Sequence, residues 1–124
     1  MLRPLLQIAE QDEAFSHLAS EVRAPSAAVE ARISPSLRPF LLATLLDSAD
    51  ALAGRAALIV APDDVGARDL ARGLEAYLHP RRVRLYPSRG TGYASQIAPP
   101  PHLVGLRIGA LDALTAFSGE GEAP

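Results

Sequence analysis

The fold prediction rests on the stretch Ala56-Ala57-Leu58-Ile59-Val60-Ala61, an uninterrupted apolar run that Pro62 ends. A run of this length without polar alternation is typical of a strand that is covered on both faces of a parallel sheet. It is the clearest strand signal in the chain. The rest of the predicted fold is built outward from it.

A helix and a second strand follow this run. Asp63 and Asp64 place hydrogen-bond acceptors and negative charge at a helix start, and apolar spacing predicts a helix to about Leu78. Apolar residues alternate with arginine and tyrosine over 82–86, which predicts a half-exposed strand. Strand, helix and strand together predict a right-handed βαβ unit.

The remaining elements complete an α/β fold of three layers around a parallel sheet. They are an amphipathic helix over 5–18, a short strand over 27–33, a helix from about 37 to 51, a proline- and glycine-rich loop over 87–101 and a helix from about 102 to 117. The apolar residues of the 37–51 helix occupy more than a narrow stripe, so we expect it to lie between the sheet and another layer.

Composition restricts the function. The 124 residues suit one domain, and a net charge of −2 with dispersed arginines lacks the footprint of an autonomous nucleic-acid binder. There is no cysteine, and all 12 basic side chains are arginine, which removes thiolate, Schiff-base lysine and phosphate-loop lysine chemistry.

No apolar run reaches the roughly 20 residues that span a bilayer and no signal peptide opens the chain, so we expect a cytoplasmic protein without membrane contact.

A strand-to-helix junction lies where a phosphate-binding loop belongs. Its residues are Ser34, Pro35, Ser36, Leu37 and Arg38. Glycines that would let backbone amides wrap a phosphate are missing, the prolines remove amides, and Arg38 replaces the lysine. We interpret the segment as a capped helix start at a degenerate phosphate-loop position, with no functional cofactor site.

The other groups of polar residues are weak candidates for a catalytic or metal site. Asp63 and Asp64 have two interpretations, a metal-binding pair at the carboxyl end of a strand or a helix cap, and capping is the simpler one. His17, His79 and His102 show no metal-ligand spacing and no paired nucleophile. The sequence therefore predicts no catalytic residue and no metal site in this chain.

One basic and aromatic concentration is a candidate contact surface. It consists of Arg82, Arg84, Tyr86, Arg89 and Tyr93. Contact with nucleic acid or protein is one interpretation, and a solvated edge strand explains the alternation of the arginines equally well.

Residues 57–63, the second strand ending in Tyr86-Pro87, and the proline-rich loop leading to Leu103-Val104-Gly105-Leu106-Arg107 carry a family resemblance. In order and spacing they resemble the amino-terminal region of bacterial transcription-repair coupling factors, over roughly Ile33 to Leu114. Arg89 and Gly90 stand where that family has tryptophan and glutamate. The degenerate phosphate loop is also similar to the one in these proteins, whose first domain resembles that of the excinuclease helicase subunit.

The resemblance implies a helicase-like, P-loop-like α/β fragment with an incomplete sheet. This fragment would cover residues 24–117. An amino-terminal helix at 1–23 would precede it, and a polar tail or linker at 118–124 would follow it. It implies a full-length ATP-dependent DNA translocase that needs ATP and magnesium, releases stalled RNA polymerase and recruits the excinuclease damage-recognition subunit. Double-stranded DNA and the motor would then belong to other domains, and this chain would be a non-catalytic module that contacts the remainder of the coupling factor. The alternatives are a Rossmann-type nucleotide-binding enzyme domain and a free-standing interaction adaptor.

Overall fold

The computed structural model describes residues 2–24, 28–92 and 94–119. Its helices are α1 (Leu6–Ala9), α2 (Glu13–Arg23), α3 (Arg38–Asp47), α4 (Asp64–Leu78) and α5 (Pro101–Gly119), with 3₁₀ turns at Arg3–Leu5 and Pro35–Leu37. No strand forms within these described ranges. The predicted three-layer α/β fold with a parallel sheet is therefore wrong, because the described chain is helical with irregular connections.

The apolar run over 56–61 is not a buried strand. Leu58 and Val60 expose 84% and 86% of their surface, and Ile59 between them packs against the core. Among the described residues, no backbone hydrogen bond joins this run to 82–86 or to any other segment. A strand of a parallel sheet needs a ladder partner and cover on both faces, so the strand and the βαβ unit built on it are wrong.

The two other predicted strands are also irregular where they are described. Over 28–33 only Ile33 is even partly buried, so nothing anchors this alanine-rich segment to a neighbour. Over 82–86 Val83 and Leu85 are half-buried while the residues between and beside them are exposed. The predicted alternation of exposure is confirmed there, although no ladder forms.

Side-chain caps set where two of the helices begin. The Asp63 carboxylate accepts a hydrogen bond from the Gly66 backbone N–H at 2.7 Å, so α4 begins at Asp64 and runs to Leu78 as predicted. The Asp12 carboxylate accepts from the Phe15 backbone N–H at 3.1 Å. This second cap starts a new helix and divides the predicted single helix over 5–18 into α1 and α2.

Helix α3 lies between two groups of buried side chains. Its Ala43 and Leu46 pack with Leu6, Leu74 and Leu78 of α1 and α4. Its Leu45 packs on the other side with a second group, which comprises Ala9, Phe15, Ala19 and Ala51. Burial of α3 on more than one side is explained by helices on both sides, instead of the predicted sheet on one of them.

Close packing of α3 on α4 depends on a glycine. A Cβ atom at Gly73 would lie 2.7 Å from the ring of Pro39, and a Phe40–Tyr77 edge contact with a centroid distance of 5.7 Å lies alongside. The Arg81 guanidinium, just beyond α4, donates to the carbonyl of Leu46 at 2.6 Å and to that of Arg55. These contacts hold the segment after α4 against the end of α3 and so position the start of residues 82–86.

Within the described ranges, none of the helices combines the length and the hydrophobicity needed to cross a bilayer.

Candidate interaction surface

Four of the five predicted contact residues lie in the described part of the chain, and we call them the arginine–tyrosine surface: Arg82, Arg84, Tyr86 and Arg89. Arg82, Arg84 and Tyr86 are exposed and Arg89 is half-buried. Tyr93, the fifth predicted residue, lies outside the described residues. The outward direction of the exposed members follows from Val83, which packs against the core and so fixes the face of the segment.

Two members of the arginine–tyrosine surface meet helix α5 across a groove. Tyr86 and Arg89 form one wall of this groove, which has a volume of about 230 Å³. Its other lining residues are Pro99, Val104, Arg107, Ile108 and Leu111. The structure therefore brings Tyr86 and Arg89 together with α5, whereas Arg82 and Arg84 lie outside the groove on the open segment.

Arg107 organises this groove and was not among the predicted site residues. Its guanidinium carbon lies 4.1 Å from the centroid of the Tyr86 ring, and its nitrogens donate to the Tyr86 hydroxyl and, at 2.7 Å, to the carbonyl of Pro87. Arg107 thus combines a cation–π contact with two hydrogen bonds and fixes the Tyr86 ring. A sequence signal existed, since Arg107 is the single arginine in the mostly apolar stretch 101–119.

Arg82 and Arg84 carry charge that the described residues do not neutralise. Within those ranges neither side chain has an ion pair or a hydrogen bond. Both are solvent-exposed, as each of the two sequence interpretations requires, but there is no sheet in the described chain for them to border. Two cationic side chains on alternate residues therefore face solvent.

The Asp63 and Asp64 carboxylates are both occupied by hydrogen bonds of the fold. Asp63 caps α4, which confirms the capping interpretation for that residue. Asp64 accepts from the Ser88 backbone N–H at 2.8 Å and from the Ser88 hydroxyl. The hydrogen bonds from Ser88 lower the pKa of Asp64 below its ordinary value of 3.8, with a smaller contribution from the charge of Arg68. This pair joins α4 to the loop that leads to the groove.

The degenerate phosphate-loop position forms the 3₁₀ turn before α3. Ser34, Pro35, Ser36, Leu37 and Arg38 are all exposed. The Ser34 hydroxyl lies 3.2 Å from the Ser36 hydroxyl and caps neither the turn nor α3, so the expected hydroxyl cap is wrong. Pro35 and Pro39 have no amide hydrogen to offer a ligand at this helix start.

The histidines lie in separate places. His17 on α2 faces Glu21 at 3.6 Å, His79 follows α4, and His102 lies in the first turn of α5. Across the described part of the chain, no three histidine or acidic side chains are grouped so that they could hold a metal ion.

The fold and the surface together define a small helical domain with an exposed cationic segment and an apolar groove beside it. No protein-family model matches the chain, and no curated protein and no solved structure matches it either.

Proposed function

We propose that this chain is a non-catalytic protein-interaction module that serves as the amino-terminal module of a transcription-repair coupling factor. Such a factor is a cytoplasmic ATP-dependent DNA translocase that releases stalled RNA polymerase and recruits nucleotide excision repair. The observation that carries the interaction role is the exposure of the large apolar side chains of Leu58 and Val60 and of several residues of α5. The assignment to a coupling factor is supported by the order and spacing of sequence segments between Ile33 and Leu114.

The apolar run supplies the first part of this argument. Single exposed apolar residues are normal on a soluble protein, but large ones gathered together mark an interaction surface. Leu58 and Val60 lie two positions apart in the sequence and are exposed almost completely. The Ile59 side chain between them is held by the core, so the run is fixed to the body with its two outer side chains bare.

Helix α5 supplies the second part. Its apolar residues occur around the whole helix and not on one stripe, and a helix of that kind is normally buried. Those that are exposed include Leu106, Ile108, Leu111 and Leu114. Extensive apolar surface is typical of permanent interfaces, whereas transient contacts are more polar. We therefore assign the apolar run and α5 to the remainder of the coupling factor.

The other components belong to the full-length protein. In this proposal ATP and magnesium serve the motor, double-stranded DNA is held by other domains, and RNA polymerase and the excinuclease damage-recognition subunit are partners of the whole factor. This chain contributes surfaces: an apolar one toward the rest of the factor, and the arginine–tyrosine surface toward a partner protein.

The first experiment reads the DNA on both sides of the region that encodes this chain and co-expresses the chain with the polypeptide encoded next to it. A motor with an intact phosphate-loop lysine and acidic pair, encoded in the same frame, is the expected result. Co-purification of the two pieces is expected as well. A neighbouring sequence without a motor would reject the coupling factor and favour a free-standing adaptor.

Paired variants test the interaction role itself. Leu58→Ser with Val60→Ser removes apolar surface that the core does not use, so we expect an unchanged fold and loss of co-purification. The matched control is Ile8→Ser with Leu37→Ser, which changes two other exposed apolar residues and should leave co-purification intact. Equal association of both variants would contradict the role given to Leu58 and Val60.

A further inference from the structure

The segment 82–86 combines three features that a partner must match together. Its outward side chains Arg82 and Arg84 are cationic and have no ion pair among the described residues. Its inward side chains Val83 and Leu85 are half-buried, and Val83 packs against the core. Its backbone N–H and C=O groups make no hydrogen bond within the described part of the chain.

We propose that residues 82–86 bind an extended acidic segment of a partner protein, which adds alongside them as a β-strand with its carboxylates opposite Arg82 and Arg84. The inference rests on the proposed function, because it names the chemistry of one partner of the interaction module. Backbone hydrogen bonds supply the pairing, and the two arginines supply the selection for acidic residues.

The spacing of the arginines selects the form of the ligand. In an extended chain, residues two apart point to the same face and lie about 7 Å from each other. A partner strand with Glu or Asp at alternate positions presents carboxylates at the same interval, and opposite charges facing each other across two strands stabilise the pairing. An acidic helix would present its carboxylates at another interval and would leave the backbone groups of 82–86 unpaired.

The segment is already held in position for such a partner. Arg81 fixes its beginning by donating to the carbonyls of Leu46 and Arg55. Arg107 fixes its end through the Tyr86 ring and the Pro87 carbonyl. Little conformational freedom is lost when a strand docks on a segment that is anchored at both ends, which favours binding.

A protein segment fits this surface better than a nucleic acid does. A peptide strand can pair with both the N–H and the C=O groups of 82–86, whereas a phosphodiester only accepts hydrogen bonds and would leave the carbonyl groups unpaired. Charge on 82–86 is confined to two alternate residues, a pattern that a β-strand can match one to one.

The test uses a fluorescein-labelled peptide of about ten residues with alternating glutamate and valine, and measures its binding to the full chain by fluorescence anisotropy. Charge reversal in Arg82→Glu with Arg84→Glu should weaken binding by about tenfold or more, because two attractive cross-strand pairs become repulsive. The control Arg23→Glu with Arg72→Glu makes the same change in net charge on exposed helix positions and should bind like the unmodified chain. Circular dichroism verifies that both variants keep their helices.

Two further probes separate strand addition from simple charge attraction. A peptide of the same sequence with N-methyl groups on alternate residues keeps its carboxylates but cannot pair its backbone, so we expect it to lose binding. Equal binding of this peptide, or equal effects of the two double variants, would overturn the proposal. Stronger binding of a labelled single-stranded DNA than of the acidic peptide would overturn it as well.

Failure here is distinguishable from failure of the proposed function. A chain that co-purifies with the neighbouring polypeptide through Leu58 and Val60, but ignores the acidic peptide, keeps its interaction role and rejects this inference. A chain that binds the acidic peptide through Arg82 and Arg84 while no motor is encoded beside it supports this inference and rejects the coupling factor.

Discussion

The carboxylate of Asp64, in the first turn of α4, accepts hydrogen bonds from both the backbone N–H and the hydroxyl of Ser88, 24 residues further along the chain. This contact ties the amino end of α4 to the beginning of the proline-rich loop. Ser88 follows Pro87 in the sequence, and the Pro87 carbonyl accepts a hydrogen bond from Arg107 of α5. Asp64 and Ser88 are therefore the first link in a chain of contacts from the helical core to the groove.

Lowering the pH should weaken the hydrogen bonds between Asp64 and Ser88 and so reduce the stability of the fold. The folded pKa of Asp64 lies below 3.8, first because of the Ser88 hydroxyl and next because of the Ser88 N–H. A depressed folded pKa contributes stability that is complete above the unfolded value and is lost as the pH falls through the folded value. Urea unfolding at a series of acidic pH values should show a smaller acid-side loss of stability in Asp64→Asn than in the unmodified chain. Ser88→Ala should reduce the loss by a smaller amount, because the backbone N–H of residue 88 still donates to Asp64. Identical pH profiles in all three proteins would show that the contact has no energetic role.

The location of the core is tested by two leucines. Leu74 is 3% exposed among α1, α3 and α4, so Leu74→Ala should lower the free energy of unfolding by about 2–5 kcal/mol. Leu58 is 84% exposed, so Leu58→Ala should change it by less than about 0.5 kcal/mol. A large loss for Leu58→Ala would mean that residues 56–61 are covered after all, as the parallel-sheet prediction required. Chemical unfolding followed by far-ultraviolet circular dichroism measures both.

A glycine-to-alanine substitution should stabilise the chain at Gly105 and destabilise it at Gly73. In a helix interior alanine is normally more stable than glycine by about 1 kcal/mol. Gly105 on α5 has open space where a Cβ would lie, so Gly105→Ala should stabilise the chain by about 0.5–1 kcal/mol. At Gly73 the new methyl group would overlap the rigid Pro39 ring, and overpacking of this kind costs about 1–3 kcal/mol. Stabilisation by Gly73→Ala in thermal unfolding would contradict the close packing of α3 on α4.

Removal of Arg107 should loosen the groove without unfolding the core. Arg107→Gln loses the contact with the Tyr86 ring and its charge-assisted hydrogen bonds, which are worth about 1–3 kcal/mol. Hydrogen exchange followed by mass spectrometry should then be faster over residues 88–92 and 94–98, while exchange in α4 stays unchanged. Arg107→Lys is a graded control, because an ammonium group keeps the charge but cannot reach the ring hydroxyl and the carbonyl with the same planar geometry. Unchanged exchange in Arg107→Gln would show that the loop is held by other contacts.

The helices were more predictable than the layers. Asp63 and the apolar spacing after it define α4 correctly, because a side-chain cap and a helical period are local properties of the sequence. The break between α1 and α2 was missed because Asp12 caps a new helix inside a stretch whose apolar spacing appears continuous. Residues 56–61 mislead for a different reason: a continuous apolar run predicts a buried strand only when partner segments cover it, and a local pattern carries no information about partners.

The candidate surface was predicted in part. Arg82, Arg84 and Tyr86 are exposed in the alternating order that the sequence indicates. The groove beside Tyr86 was not predictable, because it depends on Arg107, which is 21 residues away and reaches Tyr86 only through the fold. Whether the surface binds anything, and the family resemblance itself, stay predictions that the experiments above address.

The exposed side chains of Leu58 and Val60 bear on the behaviour of newly made copies of this chain. They belong to an uncharged, six-residue apolar run, and within the described residues the backbone of that run has no hydrogen-bond partner. Segments of this kind pair readily with copies of themselves, so crowded newly made chains would associate along 56–61. We expect an excess of chains in which this run stays uncovered to aggregate or to be bound by chaperones and degraded by proteases.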